Sequence, residues 1–571
     1  MCKKLTALLL CLLMCIGAFA ACGTQGGGDP SSGSPESSSK AESLASSEVE
    51  SSSTGSNAEH PNWITDTPVT LKIWTAKESN IEDFNTNEYI KWLQEETNVI
   101  LEFDQSSTVE TAQKLNLSLS SGDYPDIYWT AGSGISSSNL SKFGSSGVFI
   151  PMNDLIEQYG VNIKDWFSRV SYLEAASTSP DGNIYGIPNY SEIYHSRFAQ
   201  KMWINQAWLD NLDLEMPTTL EEFRDVLLAF KNQDANGNGD PNDEIPLASC
   251  IDTWHGDPID FLMCSFIYDD GDKLLTVTDD KVDSIINKEA YRDGLKYIAG
   301  MYADGLIYPE TFTATGEQVK NLTAQDIAGC VTTGNPLGLM DISTNFFQNS
   351  TTVPPLKGPE GVQTCGYYGY IIANDARFII TSACENPEVA FKLADFMYSE
   401  EASMRLRQGV LDVDWKMAEP GDKTCDGRDA KYARITPLLI DGKAQNQHLA
   451  NSGLFAESND QYMGLWTTPE DFNKYDANYF EQLLYLESQK YEGYQPDQTL
   501  PPVVFTDEEN AEVADIEVEI KKYWQEQRTL FVTGEKDIDT EWDNYVAQLE
   551  KLGLPTMIEM YDAAYNRQYV K

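Results

Sequence analysis

Between Val69 and Trp129 two hydrophobic periods alternate, and this alternation restricts the possible folds more than any other feature of the chain. The stretch "VTLKIWT" sets Val69, Leu71 and Ile73 on one face and Thr70 and Lys72 on the other, the period of a β-strand. Asn85 with Glu88 offers a capping box ahead of a helix through Tyr89 and Leu93. "VILEF" reads as a second strand, a helix around Ala112, Leu115 and Leu119 follows, and "DIYW" reads as a third strand. Strand–helix–strand order requires crossover connections, so a parallel α/β lobe is expected. Ligand crevices in such sheets open at the carboxyl ends of strands. Trp74, ending the first strand, and Trp129, ending the third, are therefore candidates to line a cleft.

Ahead of this lobe stands a segment that cannot join a core. "MCKKLTALLLCLLMCIGAFAACGT" sets Lys3 and Lys4 before an apolar run from Leu5 to Phe19, short for a membrane span and suited to a secretory signal. Ala20 and Ala21 precede Cys22, which resembles a bacterial lipoprotein signal with Phe19 in place of the usual Leu. The expected division is a signal over 1–21 and then, over 22–60, a lipidated Cys22 followed by a Gly/Ser-rich tether too polar to fold. No later segment is long and apolar enough to span a bilayer. Six further cysteines (Cys250, Cys264, Cys330, Cys365, Cys384 and Cys425) show no CxxC pairing, so neither zinc nor a dense disulfide framework is indicated and buried free thiols are expected.

Charge narrows the partners. With 89 acidic against 40 basic residues the formal net charge is −49, which argues against nucleic acid and disfavours a strongly anionic ligand unless a local basic cleft overrides it.

A helix over "MPTTLEEFRDVLLAFKNQD", with Thr219 and Glu222 as a capping box and Leu220, Phe223, Leu227 and Phe230 on one face, runs straight into "DANGNGDPNDEIP". Asp234, Asn236 and Asn238 occupy alternate positions around Gly239, as the oxygen donors of a calcium loop do, and Asp240 would offer its carbonyl. Ile245 stands where an EF-hand has its final Glu, so this is not an EF-hand proper. Two readings stand: a structural calcium site, or a metal-free turn built on Asn and Gly. The last hundred residues read as mainly helical. Thr506 and Glu509 cap a run through Val513, Ile516, Ile520 and Tyr523 with Gly534 as a stop, and a later helix ends at Gly553 and Pro555.

Taken in order, "SGDYPDIYW", "DGNIYGIPNY", "MWINQAWLDNLDLEMPTTLEEF", "DANGNGDPNDEIPL", "GYYGYIIAND", "ENPEVAFKLADFMYSEEA" and "EWDNYVAQLEKLGLP" resemble the large extracellular solute-binding lipoproteins of bacterial ABC sugar importers, the branch with alginate-oligosaccharide-binding proteins. That resemblance implies an α/β, two-lobe, periplasmic-binding-protein-like fold with discontinuous lobes, a hinge and a ligand cleft. Residues 61–191 and 350–405 would form the first lobe, and 192–349 and 406–571 the second. Crossings are expected at "NIYGIPNY", after Met340 and near Leu406–Trp415. In that family the metal loop ends on an Asp-Glu pair, matched by Asp243 and Glu244, and the loop here is one residue longer, which leaves open which of Asn242, Asp243 and Glu244 ligate.

Tyr190, Trp254, His255, Tyr368, Asp414 and Trp415 fall in loops or crossings and join Trp74 and Trp129 as ligand candidates, because pyranose rings lie flat on aromatic faces. Trp203 and Trp208 are assigned to the core. The function expected is a non-catalytic, monomeric, extracytoplasmic binding protein, lipid-anchored to the cell membrane, that delivers an oligosaccharide to importer transmembrane subunits. An extracellular glycosidase and a surface sugar sensor are the alternatives, although no motif marks a catalytic carboxylate pair.

Overall fold

The computed structural model describes residues 60–570 except 79, 108–109, 130–134, 371, 439 and 441–442. The expected signal segment, Cys22 and nearly all of the tether lie outside the described residues. The strands in chain order are β1 (Val69–Lys77), β2 (Val99–Ser107), β3 (Ile127–Trp129), β4 (Ile187–Ser191), β5 (Met202–Asn205), β6 (Ile245–Leu247), β7 (Leu275–Thr278), β8 (Lys281–Ser284), β9 (Ala328–Thr332), β10 (Ser350–Thr352), β11 (Ile372–Ile380), β12 (Trp415–Met417), β13 (Tyr432–Arg434) and β14 (Ala456–Glu457).

A six-stranded sheet has the order β14-β4-β11-β3-β1-β2, and a four-stranded sheet the order β10-β5-β9-β6. As the alternating periods require, β1 runs parallel to both β2 and β3, with Trp74 beside Tyr128 and Thr75 beside Trp129. β11 closes against β3 and β4 antiparallel. Each sheet has its own apolar interior: Leu71, Ile73, Ile127, Trp129, Phe378 and Phe391 pack with the first, and Met202, Ile204, Phe223, Leu247, Cys330 and Trp524 with the second. Trp203 and Trp208 are fully buried, as expected.

The helix starts show where local signals were decisive. Thr219 and Glu222 form the capping box of helix Leu220–Asn232, and Thr506 and Glu509 that of helix Asp507–Val532. Asn85 does not cap. It lies inside a short turn, Phe84–Thr86, and Asn87, whose extended backbone frees its side chain, accepts from the Tyr89 N–H instead.

The chain passes from the first sheet to the second between β4 and β5, returns between β10 and β11, and leaves again after β14. The third passage therefore follows Glu457 rather than Leu406–Trp415, because β14 pairs in parallel with β4 and Leu406 is buried in the first sheet's core. All six described cysteines are free, four of them buried. Among the described residues no helix is long and apolar enough to cross a membrane.

Candidate functional site

Beyond the carboxyl end of β6 the chain forms a tight loop, and its construction fixes an exposed tryptophan. The hydroxyls of Ser249 and Thr332 both donate to the Gly256 carbonyl at 2.7 Å. His255 takes the left-handed backbone (φ 54°), and a Cβ on Gly256 would lie 2.2 Å from the Cys250 carbonyl oxygen. Just beyond β9 the Gly334 N–H donates to the Trp254 carbonyl at 2.9 Å. A Cβ on Gly334 would stand 2.6 Å from the indole, so only glycine lets that ring settle here. Trp254 is thus held from behind while remaining 49% exposed. A large apolar side chain left to water over a cavity is an informative exception to burial.

The cavity it borders has a volume of about 760 Å³. Ile251, Thr253, Trp254 and His255 form one wall, and Tyr367, Tyr368 and Tyr370, from the passage between sheets, form another. His255 Nδ1 lies 3.2 Å from the Tyr368 hydroxyl, and burial first, then Lys201, pushes this imidazole down to about 4, so it is neutral near pH 7. Residues Asp270–Lys273 close one end, turned by Asp270, whose carboxylate accepts from the Asp272 and Lys273 N–H groups. The floor comes from the long C-terminal helix. Its Arg528 is buried and donates to Asp260 at 2.8 Å and to Asp257 at 2.5 Å, while its guanidinium lies 4.2 Å over Trp524. Asp257 also caps helix Pro258–Met263. Asp269, fully buried behind this group, is pushed up to about 7, chiefly by burial and against the Gly271 N–H bond.

Trp254, His255 and Tyr368 are the sequence candidates that the structure brings together. The others it places elsewhere. Trp129 is 0% exposed and packs among Phe84, Phe103 and Phe378, because β3 lies between β1 and β11 with apolar layers on its faces. Trp74 is buried edge-on to Tyr128 in a neighbouring cluster. Tyr190 is buried against Trp166, its hydroxyl donating to Glu192. Trp415 is buried on Tyr432 and donates from its indole to the Gly409 carbonyl. Asp414 holds a turn, accepting from Val410 N–H and the Thr436 hydroxyl.

The loop after helix Leu220–Asn232 is organised by oxygen donors. Asp234 accepts from Gly239 N–H, Asn236 from Asn238 N–H, Asn238 from Asp240 N–H, and Glu244 from Ala235 N–H. The Asn238 amide donates to Asp243 at 2.8 Å, and Asp240 accepts from Asn242. One oxygen each of Asp234 and Glu244 is buried without a partner. Among the described residues no group of three or more His, Cys, Asp or Glu is gathered to hold a metal. Asn side-chain oxygens make up a large share of the loop's donors. Two orphaned carboxylate oxygens beside Asn side chains fit a hard cation such as calcium.

Residues 76–404 match the family described as bacterial extracellular solute-binding protein. The chain belongs to that family. Among curated proteins, this solute-binding protein is similar to the fructooligosaccharide ABC transporter substrate-binding protein FusA of Streptococcus pneumoniae serotype 4, 29% identical over 87% of this chain and 90% of that one. A structure of FusA in complex with kestose superposes with a TM-score of 0.70, covering 87% of this chain and 99% of that one at 29% identity. An "HMO binding" ABC-transporter-associated solute-binding protein from Bifidobacterium longum infantis shares the fold, with a TM-score of 0.71 at 21% identity over 88% and 99% of the two chains. Alginate-binding AlgQ2, solved without calcium ion, gives a TM-score of 0.62 at 25% identity over 89% and 99%. These neighbours are two-lobed, and so is the architecture of this extracellular solute-binding protein.

Proposed function

We propose that this protein captures an oligosaccharide at the cavity of Trp254 and passes it, as a lipid-anchored monomer, to the transmembrane subunits of an ABC importer. The observation that carries this reading is the half-exposed indole, clamped from behind and facing tyrosines and hydroxyl-rich side chains across a space of about 760 Å³. Sugars offer flat C–H faces to such rings and hydroxyls to the polar groups between them. The likeness to FusA, solved with kestose, supports the same ligand chemistry. The first lobe is the one built on the six-stranded sheet, including β14, and the second carries the four-stranded sheet and the C-terminal helices.

The protein binds without cleaving. A glycosidase needs two carboxylates free to face opposite sides of one bond, whereas Asp257 and Asp260 are tied to Arg528 and Asp270 holds a turn. The Asp234–Glu244 loop holds a structural calcium ion through side-chain oxygens of Asp234, Asn236, Asn238, Asp243 and Glu244 and the carbonyl of Asp240. A solved FusA variant bears the description "EF-hand mutant", which supports a metal loop in that relative. When bound, calcium neutralises the crowded carboxylates and pins the end of helix Leu220–Asn232.

A thermal-shift screen of fructo-, gluco-, manno- and galacto-oligosaccharides and uronate oligomers, followed by calorimetric titration and product analysis, tests the function. A ligand of the native state raises the melting temperature. Binding with unchanged sugar is the expected result, cleavage products would establish the glycosidase, and silence across the panel would sink the reading.

A further inference from the structure

The cavity's lining carries more acid than base, and its one guanidinium is held by two carboxylates. Four carboxyl groups line it (Asp257, Asp260, Asp270 and Asp272) against two basic side chains, Lys273 and Arg528. Arg528 spends both terminal nitrogens on Asp257 and Asp260. Lys273 donates to the Leu500 carbonyl at 2.6 Å and shares its turn with Asp270 and Asp272. Counting every carboxyl as ionised leaves two negative charges in excess among these six side chains; counting Asp260, pushed up by burial beside Asp257, as protonated still leaves one. Nearby bases narrow the excess without reversing it, because Lys521 offsets the charge of Asp272. Lys201 is fully buried and donates to the His195 and Phe198 carbonyls, Lys521 meets the exposed Asp272 at 3.4 Å, and Arg197, whose Nε is buried without a partner, lies near Tyr367, Tyr190 and Tyr172. None of the three lines the cavity.

A uronate entering this space would bring a carboxylate against a lining of net like charge whose guanidinium is already held by Asp257 and Asp260. Recognition of carboxylates relies on bidentate Arg or on Lys, and like charges across an interface are the usual means of rejecting a wrong partner. A neutral sugar meets no such penalty: its hydroxyls donate to the carboxylates and its C–H faces cover Trp254 and the tyrosines. We infer that the cavity selects uncharged oligosaccharides and rejects uronate oligomers, and that the locking of Arg528 by Asp257 and Asp260 is the device that sets this choice. This rests on the oligosaccharide reading above and narrows it to one charge class.

The test is calorimetric titration of the full folded chain with neutral probes (kestose, nystose and galacto-, manno- and xylo-oligosaccharides) and acidic probes (trigalacturonate and alginate trisaccharide). The best neutral probe is expected to bind at least about tenfold more tightly than either uronate, about 1.4 kcal/mol. A uronate that binds as well as or better than every neutral probe overturns the inference while leaving the capture function standing; binding of no sugar removes both. Asp257→Asn frees one guanidinium edge and should raise the uronate-to-neutral affinity ratio by at least about tenfold. An unchanged ratio in a folded Asp257→Asn protein overturns the role given to Arg528. Because Asp257 also caps a helix, the wild-type titrations decide the selectivity should that variant fail to fold.

Discussion

Whether a tryptophan packs the core or greets a ligand depends on the layers that close over it. β3 is three residues long, and the rings that bury Trp129 come from Phe84, Phe103 and Phe378, far apart in sequence. Trp129→Ala is therefore expected to destabilise the fold by about 3–5 kcal/mol, seen as a lower melting temperature in the absence of sugar. Trp254→Ala removes a ring that water already reaches. It should leave melting nearly unchanged and weaken oligosaccharide binding at least about tenfold, read by titration. Strand periodicity marked Trp129 correctly as the end of a parallel strand but carries no information on the rings stacked against it. Arg528 left a fainter trace: on the helix face of Ile520, Trp524 and Phe531 a lone buried guanidinium needs carboxylate partners. Those partners, Asp257 and Asp260, lie in a loop and short helix that periodicity does not reach.

Elements were legible wherever a local rule sufficed. The capping boxes at Thr219 and Thr506 form as read, since both halves of each motif lie within one turn. The passage after Glu457 was not legible, because β14 has two residues and owes its existence to pairing with β4. The Asp234–Glu244 loop lies between these cases: its turn chemistry is local, while its occupancy depends on the ion. With calcium bound, chelator should lower the melting temperature of the wild-type protein, and Glu244→Gln, which keeps the shape and removes a charge, should start lower and respond much less. Equal response in both, or none in either, would establish the metal-free turn.

At the scale of the whole molecule, acidity and burial act together. Folding holds the Asp269 carboxyl up to about 7, whereas an unfolded Asp loses its proton near about 4. Between those values the folded state binds the additional proton, so this group's contribution is present at low pH and is lost as pH rises through about 7. The melting temperature should fall from about pH 5.5 to about pH 8, and Asp269→Asn, permanently neutral, should reduce that fall by about 2 °C or more. A pH profile identical to wild type would remove Asp269 from the account. At the other end of the chain, Cys22→Ser should move the protein from the membrane fraction to the medium, because stable anchoring needs acyl chains; partition like wild type would refute the lipoprotein signal. The bond from Arg528 to Asp257 spans 271 positions. At about 5–20 residues per second its two ends leave the ribosome roughly 14–54 s apart. Until the last stretch is made the cavity lacks its floor and the second sheet lacks Ile520, Trp524 and Phe531 from its core, so a chain cut short before Trp524 leaves both unfinished.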